Sequence, residues 1–250
     1  MVDSAVSAIR SEFEALPLTA RCRRIWERGE HALIGVSPGN GYFSTDRLTS
    51  LAAWAARSFT AVDVVYADLH LATVLGTIGY DREHATRKAR KELEGVRRRI
   101  RRAVEALGST STRFRVSALS EFCTSPVYRE LRETVRESLR TDDEIREACE
   151  LMVDYFLDGK ISGRPTPEQL RAGTDYLLAE LPFFVDAPRI LGVGSSVSCY
   201  HSAVPLARVL FSRREGLRAV DHQGYLVVRP LGPIPGPRIE NTTAERNLRS

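Results

Sequence analysis

The stretch HALIGVSPGNG, residues 31–41, changes character after its sixth residue. HALIGV is a short apolar run and SPGNG a cluster of turn formers, so the segment reads as a buried strand that ends in a loop. The alternation continues outward. RLTSLAAWAARS (47–58) has helical spacing, and AVDVVYAD (61–68) is a second, β-branched strand. Residues 81–107 predict one long helix, RFRVSAL (113–119) a third strand, and 125–158 a helical region broken near Thr141, where TDDE is a capping pattern. TPEQLRAGTDYLLAEL (166–181) opens on a Thr cap with Pro167 in its first turn, and Pro182 is expected to end it. RILGVG (189–194) and GYLVVRP (224–230) are the last strand candidates. Alternating strands and helices predict an α/β fold, with a parallel sheet flanked by helices on both faces. Ligands of such sheets bind beyond the carboxyl ends of the strands.

Composition bounds the function. The 250 residues are 43% apolar and 27% charged, with a formal net charge of +4. These are globular values, and they exclude a disordered chain, a collagen-like chain and a coiled coil. The length suits one large domain or two small ones; a single domain is expected, with a core at about 30–230 and a loose Pro/Gly-rich tail at about 231–250. Cys22, Cys123, Cys149 and Cys199 lie far apart and match no zinc spacing, so reduced thiols and a cytoplasmic location are expected. The first residues, MVDSAVSAIRSEFEALPL, lack the apolar core of a signal peptide, and no apolar run is long enough to span a membrane. The histidines form no metal-binding pair, so no metal site is expected.

The positive charge is concentrated. Residues 83–107 carry nine basic residues against four acidic ones, a net +5 (9 − 4), which exceeds the +4 of the whole chain. Ala89, Leu93, Val96, Ile100, Ala103 and Leu107 form an apolar stripe along that helix, leaving the guanidinium groups on its other sides. Such a face suits a phosphate backbone, although many charge runs are only solvated surface. The helix has no aromatic residue, so it does not stack bases.

Three further features carry chemistry. Ser37 follows a strand directly, among Gly35, Gly39 and Gly41, where it can act as a nucleophile near backbone N–H groups or simply cap a turn. GVSPG formally matches the nucleophile elbow of α/β-hydrolases, yet Pro-Gly-Asn-Gly is a poor helix start. Tyr176 and Glu180 are four apart on one helical face and can hold an ammonium group by hydrogen bond and by charge, or be a surface pair at a helix end, which such spacing more often marks. Tyr200-His201 follows SSVSC, where such a pair can relay protons or be structural.

Ser37 in HALIGVSPGNGYFS, Tyr128, Tyr176 with Glu180 in YLLAELPFFVDAP, and Tyr200-His201, together with the basic helix, resemble the cyclodipeptide synthase family over roughly residues 30–212. Asn40 with Tyr200-His201 is similar to the subfamily marked by Asn, Tyr and His. The resemblance implies a single Rossmann-type domain similar to the class I tyrosyl- and tryptophanyl-tRNA synthetase catalytic domains. It implies two aminoacyl-tRNAs as substrates and a cyclic dipeptide as product. Ser37 would take the first aminoacyl group, and the second aminoacyl-tRNA would donate its amine to give a dipeptidyl-enzyme that cyclises. Glu180 and Tyr176 would hold the amino group, and Tyr200 would relay protons. Asn40, Tyr128 and His201 would position the intermediate. Leu33, Gly35, Val65, Leu119, Phe183 and Ser198 would line the first aminoacyl pocket, implying a hydrophobic or aromatic first amino acid. Lys91, Arg98, Arg99, Arg101 and Arg102 would grip tRNA.

The ester of an aminoacyl-tRNA is already activated, so no cofactor and no metal are expected. The chain also lacks the HIGH and KMSKS signatures that adenylate formation requires. A monomer is the default expectation. The competing readings are a serine hydrolase pairing Ser37 with His201 or His222, and a non-catalytic RNA-binding module.

Overall fold

A continuous apolar run commits a strand to two covered faces, because successive side chains point to opposite sides, and the strand at 31–36 is buried along nearly its whole length. The computed structural model describes residues 13–231. In chain order the elements are β1 (Phe13–Pro17), α1 (Ala20–Glu27), β2 (His31–Val36), α2 (Thr45–Ser58), β3 (Ala61–Tyr66), α3 (Leu71–Thr77), α4 (Arg82–Glu105), β4 (Phe114–Ala118), α5 (Pro126–Thr141), α6 (Asp143–Leu157), α7 (Pro167–Leu191), β5 (Ser196–Tyr200), α8 (Pro205–Ser212) and β6 (Gln223–Pro230). The sheet order is β1-β6-β5-β2-β3-β4. Neighbours run parallel except β1, which pairs antiparallel with β6.

The alternation sorts side chains to the two faces. Ala32, Ile34, Val36, Val62, Val64, Val197 and Cys199 pack with Leu51, Trp54, Val96 and Ile100 of α2 and α4. Leu33 and Val65 point the other way, against Ala179 and Phe183 of α7. Chain order reverses between β2 and β5, since β2 continues to β3 on one side and β5 to β6 on the other. Such a switch point opens a crevice at the carboxyl ends of the two strands.

Local chemistry sets most element ends. Asp81 caps α4 by accepting from the His84 N–H at 2.9 Å. Thr166 and Gln169 cap α7 reciprocally. The break near Thr141 falls where expected, and Asp142 caps α6 through the Ile145 N–H at 3.2 Å.

The sheet core is parallel, as expected, with β1 added antiparallel at its edge. Three expectations need correction. The core does not begin near residue 30, because β1 and α1 precede it. Pro182 does not end its helix: α7 continues through it, with Leu181, Pro182 and Phe183 buried. RILGVG is therefore not a strand. Asp186 leaves helical geometry (φ −152°, ψ 64°), and its carboxylate accepts from the Arg189 N–H at 3.1 Å, capping one last turn that stops at Gly192 in the left-handed conformation. The strand starts at Ser196 instead. The proposed tail at 232–250 and the first twelve residues lie outside the described residues.

A buried polar network ties the end of α7 to the sheet. Asp63 accepts from His31 Nε2 at 2.8 Å and from Arg115 Nε and Nη2 at 2.9 and 2.6 Å. Burial pushes its carboxyl up, but the bonds from His31 and Arg115 outweigh that and hold it below the usual range. Arg115 also donates to the Leu191 carbonyl at 3.3 Å. The packing of α6 on α7 depends on Gly173, where an added Cβ would meet Val153 Cγ1 at 2.5 Å. Gly173→Ala is expected to destabilise the fold by about 1–3 kcal/mol through overpacking, read as a lower Tm in thermal unfolding.

Candidate active site

Ser37 continues the side of β2 that carries Leu33 and Gly35, one residue past the end of the strand. It lines a cavity of about 420 Å³, a volume suited to a small-molecule moiety. The loop after Ser37 is a turn closed by the Asn40 N–H on the Ser37 carbonyl at 3.4 Å, with Gly39 at φ 71°. Helix α2 begins only at Thr45. The nucleophile-elbow geometry, in which a helix starts at the serine, is absent here. The serine also follows the second strand of the chain, not the first.

Twelve of the thirteen catalytic and aminoacyl-pocket candidates meet in this cavity: Leu33, Gly35, Ser37, Asn40, Val65, Leu119, Tyr176, Glu180, Phe183, Ser198, Tyr200 and His201 all line it. Tyr128 does not. It is fully buried behind the wall, its ring near Phe183 and its hydroxyl donating to the Ala179 carbonyl at 2.8 Å. It therefore holds the α7 backbone immediately before Glu180. An added Cβ at Gly35 would meet nothing within 4 Å, so this position leaves open space for a ligand.

The Tyr176 hydroxyl and Glu180 Oε1 are out of solvent and make no hydrogen bond of normal geometry. Burial pushes the Tyr176 hydroxyl well above its usual range, with the Glu180 charge adding to it and the nearby Ser37 hydroxyl opposing it. Burial raises Glu180 to about 7, against a smaller pull from Tyr176. Glu180 borders the cavity with part of its surface, yet its Oε1 is shielded. A buried carboxylate oxygen whose nearest polar neighbour is a tyrosine hydroxyl, both next to the cavity, suits a cationic donor.

The other side of the cavity is orientated by Asn40. Its Oδ1 accepts the Tyr42 N–H at 2.9 Å, so its amide nitrogen faces Tyr200 Oη at 3.5 Å and His201 Nε2 at 3.4 Å. His201 Nε2 is then an acceptor, which requires a neutral ring. Burial, with Arg47 and Arg229 as lesser causes, lowers His201 to about 4, so it is neutral at pH 7. Tyr200 is pushed up to about 12 by burial and by Glu180, with Ser37 and Asn40 pulling the other way, so it keeps its proton.

Ser198, which lines the cavity, is held from behind: its Oγ accepts from Gln223 Nε2 at 3.0 Å, and Gln223 Oε1 accepts the Ala187 N–H at 3.0 Å. The histidines named for a hydrolase do not serve Ser37. His201 is engaged by Asn40, and His222 stands exposed next to the first residue of β6, at the opposite end of the sheet.

The comparisons identify the architecture. The family model described as cyclodipeptide synthase matches residues 13–230. The chain belongs to the cyclodipeptide synthase family. These enzymes make cyclic dipeptides from aminoacyl-tRNAs. The cyclo(L-tyrosyl-L-tyrosyl) synthase of Mycobacterium tuberculosis is 42% identical over 222 residues, covering 88% of this chain and 77% of that one. The cyclo(L-leucyl-L-phenylalanyl) synthase of Streptomyces noursei is 43% identical over 216 residues, covering 84% and 89%. A crystal structure of a cyclo(L-leucyl-L-phenylalanyl) synthase superposes with a TM-score of 0.82 at 41% identity, covering 87% and 98%. A Mycobacterium tuberculosis cyclodipeptide synthetase, described as related to type I tRNA synthetases, superposes at 0.81 and 41% identity, covering 88% and 94%.

In this cyclodipeptide synthase the remaining cavity wall comes from residues that sequence reading left without a role. Met152, Tyr155 and Phe156 of α6 line it, with Lys160 just beyond. Phe156 stacks on Tyr176 at 4.8 Å and 16°, fixing that ring. Tyr42, two residues after Asn40, stacks on His201 at 4.3 Å and 28°. The GYFS that follows Asn40 was the available signal for Tyr42; α6 has no motif to mark its cavity-facing side. Among the described residues no group of three or more His, Cys, Asp or Glu is placed to hold a metal, and no helix is long and apolar enough to cross a membrane.

Proposed function

We propose that this enzyme joins two aminoacyl groups through esters on Ser37, in the manner of the Asn-Tyr-His subfamily. Ser37 Oγ attacks the ester carbon of the first aminoacyl-tRNA. The new C–Oγ bond replaces the bond to the ribose oxygen, which leaves with the proton relayed by Tyr200. The amine of the second aminoacyl-tRNA attacks this ester, forming C–N and freeing Ser37. The dipeptide then passes from the second tRNA back to Ser37. Its free amine attacks its own ester, closing the ring and releasing the serine.

One observation supports this reading: the Tyr176 hydroxyl and the shielded Glu180 Oε1 lie close to each other and to the Ser37 hydroxyl with no cation beside them among the described residues, where the α-ammonium of a serine-bound aminoacyl group would lie. Tyr128 positions Glu180 from behind, while Asn40 and His201 position Tyr200. The first amino acid is hydrophobic or aromatic, because Leu33, Val65, Leu119 and Phe183 surround the space left by Gly35. The named products of the relatives, tyrosyl-tyrosyl and leucyl-phenylalanyl, fit that pocket. A product without an apolar side chain would contradict it. The enzyme works as a cytoplasmic monomer without metal or cofactor.

The tRNA lies on α4. Its buried residues are small or apolar, including Ala85, Ala89, Val96, Ile100 and Ala103. Arg87, Arg90 and Arg101 pair with glutamates one turn away, but Lys91, Arg98, Arg99 and Arg102 form no ion pair among the described residues. Lys91, Arg98 and Arg102 are exposed, and Arg99 is half-buried. The double variant Arg98→Ala with Arg102→Ala is expected to weaken tRNA binding and to reduce the slope of log affinity against log salt by about 2. Filter binding at several salt concentrations checks this; an unchanged slope would place the tRNA elsewhere.

A further inference from the structure

The corner where the Ser37 loop enters α2 holds positive charge that the serine chemistry does not use. His201 stacks on the Tyr42 ring at 4.3 Å, and Arg47 Cζ sits 4.5 Å from the same ring's centroid, with its charge acting on the Tyr42 hydroxyl. The Tyr42 hydroxyl donates to the Val228 carbonyl at 3.3 Å, which anchors this post to β6. Arg229 is the next residue and is exposed. Neither Arg47 nor Arg229 forms an ion pair among the described residues. Arg47 Nε is buried without a hydrogen-bond partner. Two acids lie nearby: Asp46 in the first turn of α2, and Glu14, the register partner of Arg229 on β1; neither pairs with these arginines. Both guanidinium charges act on His201, which lines the cavity.

We infer that Arg47 and Arg229 bind a backbone phosphate of the substrate's 3′-terminal nucleotides, at the rim of the Ser37 cavity and apart from the α4 surface. This rests on the aminoacyl-tRNA reading above. The ester must reach Ser37 while the amine reaches Glu180, so the terminal ribose lies at the cavity mouth. The strongly anionic group nearest the ester is then the phosphate one ribose away. A guanidinium held against an aromatic face loses little freedom on binding, and its fork matches phosphate. The first turn of α2 adds its positive dipole end.

The test uses binding, which does not require the serine step. In the Ser37→Ala protein, the affinity of a 5′-fluorescein-labelled CCA trinucleotide is measured by anisotropy, and that of adenosine by competition. Arg47→Gln and Arg229→Gln are each expected to weaken CCA about 10-fold, as loss of a charge-assisted hydrogen bond does, and to leave adenosine unchanged. Arg47→Lys should keep more of the affinity than Arg47→Gln. The Arg98→Ala, Arg102→Ala double variant should bind CCA normally while losing full-length tRNA. CCA affinity unchanged in both glutamine variants would overturn the inference, as would equal losses for CCA and adenosine. Failure of the serine mechanism would show separately, as absence of an acyl adduct on the wild-type protein.

Discussion

Replacing Ser37 by alanine is expected to remove cyclic dipeptide from the medium of expressing cells, a loss of at least about 10³-fold, with the fold and tRNA affinity intact. The hydroxyl is half-exposed at the cavity, caps no helix, and supports no core packing, so its loss leaves the structure untouched. No neighbouring group replaces it. Tyr200 and Tyr176 hold their protons strongly, and no cysteine side chain reaches the cavity in a reactive state: Cys199 borders it, but burial pushes its thiol far above the usual range. Mass spectrometry of the medium reads the result. New masses equal to two amino acids minus two waters should appear with the wild-type protein and vanish with Ser37→Ala. A variant retaining more than a few per cent of product would remove Ser37 from the chemistry.

Glu180→Gln should separate function from stability in opposite directions. Burial raises the Glu180 carboxyl from 4.5 to about 7 in the ligand-free protein. If, as proposed, its carboxylate form binds the substrate ammonium, kcat/KM of the wild type should fall as pH drops through about 7. The glutamine variant should lose about 10²-fold or more at pH 8 and lack that acidic limb. The stability sign is the reverse. The folded state binds the proton more tightly than the unfolded chain, so stability falls as pH rises from 4.5 to about 7, and the loss is complete above 7. The shift corresponds to up to about 3 kcal/mol, less where the cavity admits water. Glu180→Gln should therefore raise Tm at pH 8 and change it little at pH 4.5. Thermal unfolding against pH checks this, and a glutamine variant less stable than wild type at pH 8 would contradict the assignment.

Much of the site was legible in the sequence, for physical reasons. β2 is an apolar run and β3 one interrupted only by Asp63, because both faces are covered, and that pattern is local. Ser37 is marked by the abrupt turn chemistry after β2, and Tyr176 with Glu180 by the four-residue spacing of one helical face. The misreadings lie where tertiary context prevails over local preference. β1 is a five-residue edge strand with alternating exposure, and only its pairing to β6 makes it a strand. Pro182 stays inside α7 because that turn is buried between the sheet and its neighbouring helices, and the apolar ILGV run closes a helix because Asp186 caps one more turn. Tyr128 carries its role through a backbone carbonyl, which no spacing shows. The Arg47–Tyr42–His201 stack joins two loops about 160 residues apart in sequence, as the Asn40–His201 separation of 161 shows, and becomes visible only once β2 and β5 lie side by side.

The central claim is a covalent aminoacyl group on Ser37, and intact-protein mass spectrometry tests it most directly. Purified enzyme is mixed briefly with one aminoacyl-tRNA, quenched in acid, weighed and digested. The expected result is a mass increase of one aminoacyl residue, located on the peptide that contains Ser37 and absent from Ser37→Ala. An adduct on any other residue, or cyclic dipeptide formed with no adduct at any time, would contradict the account.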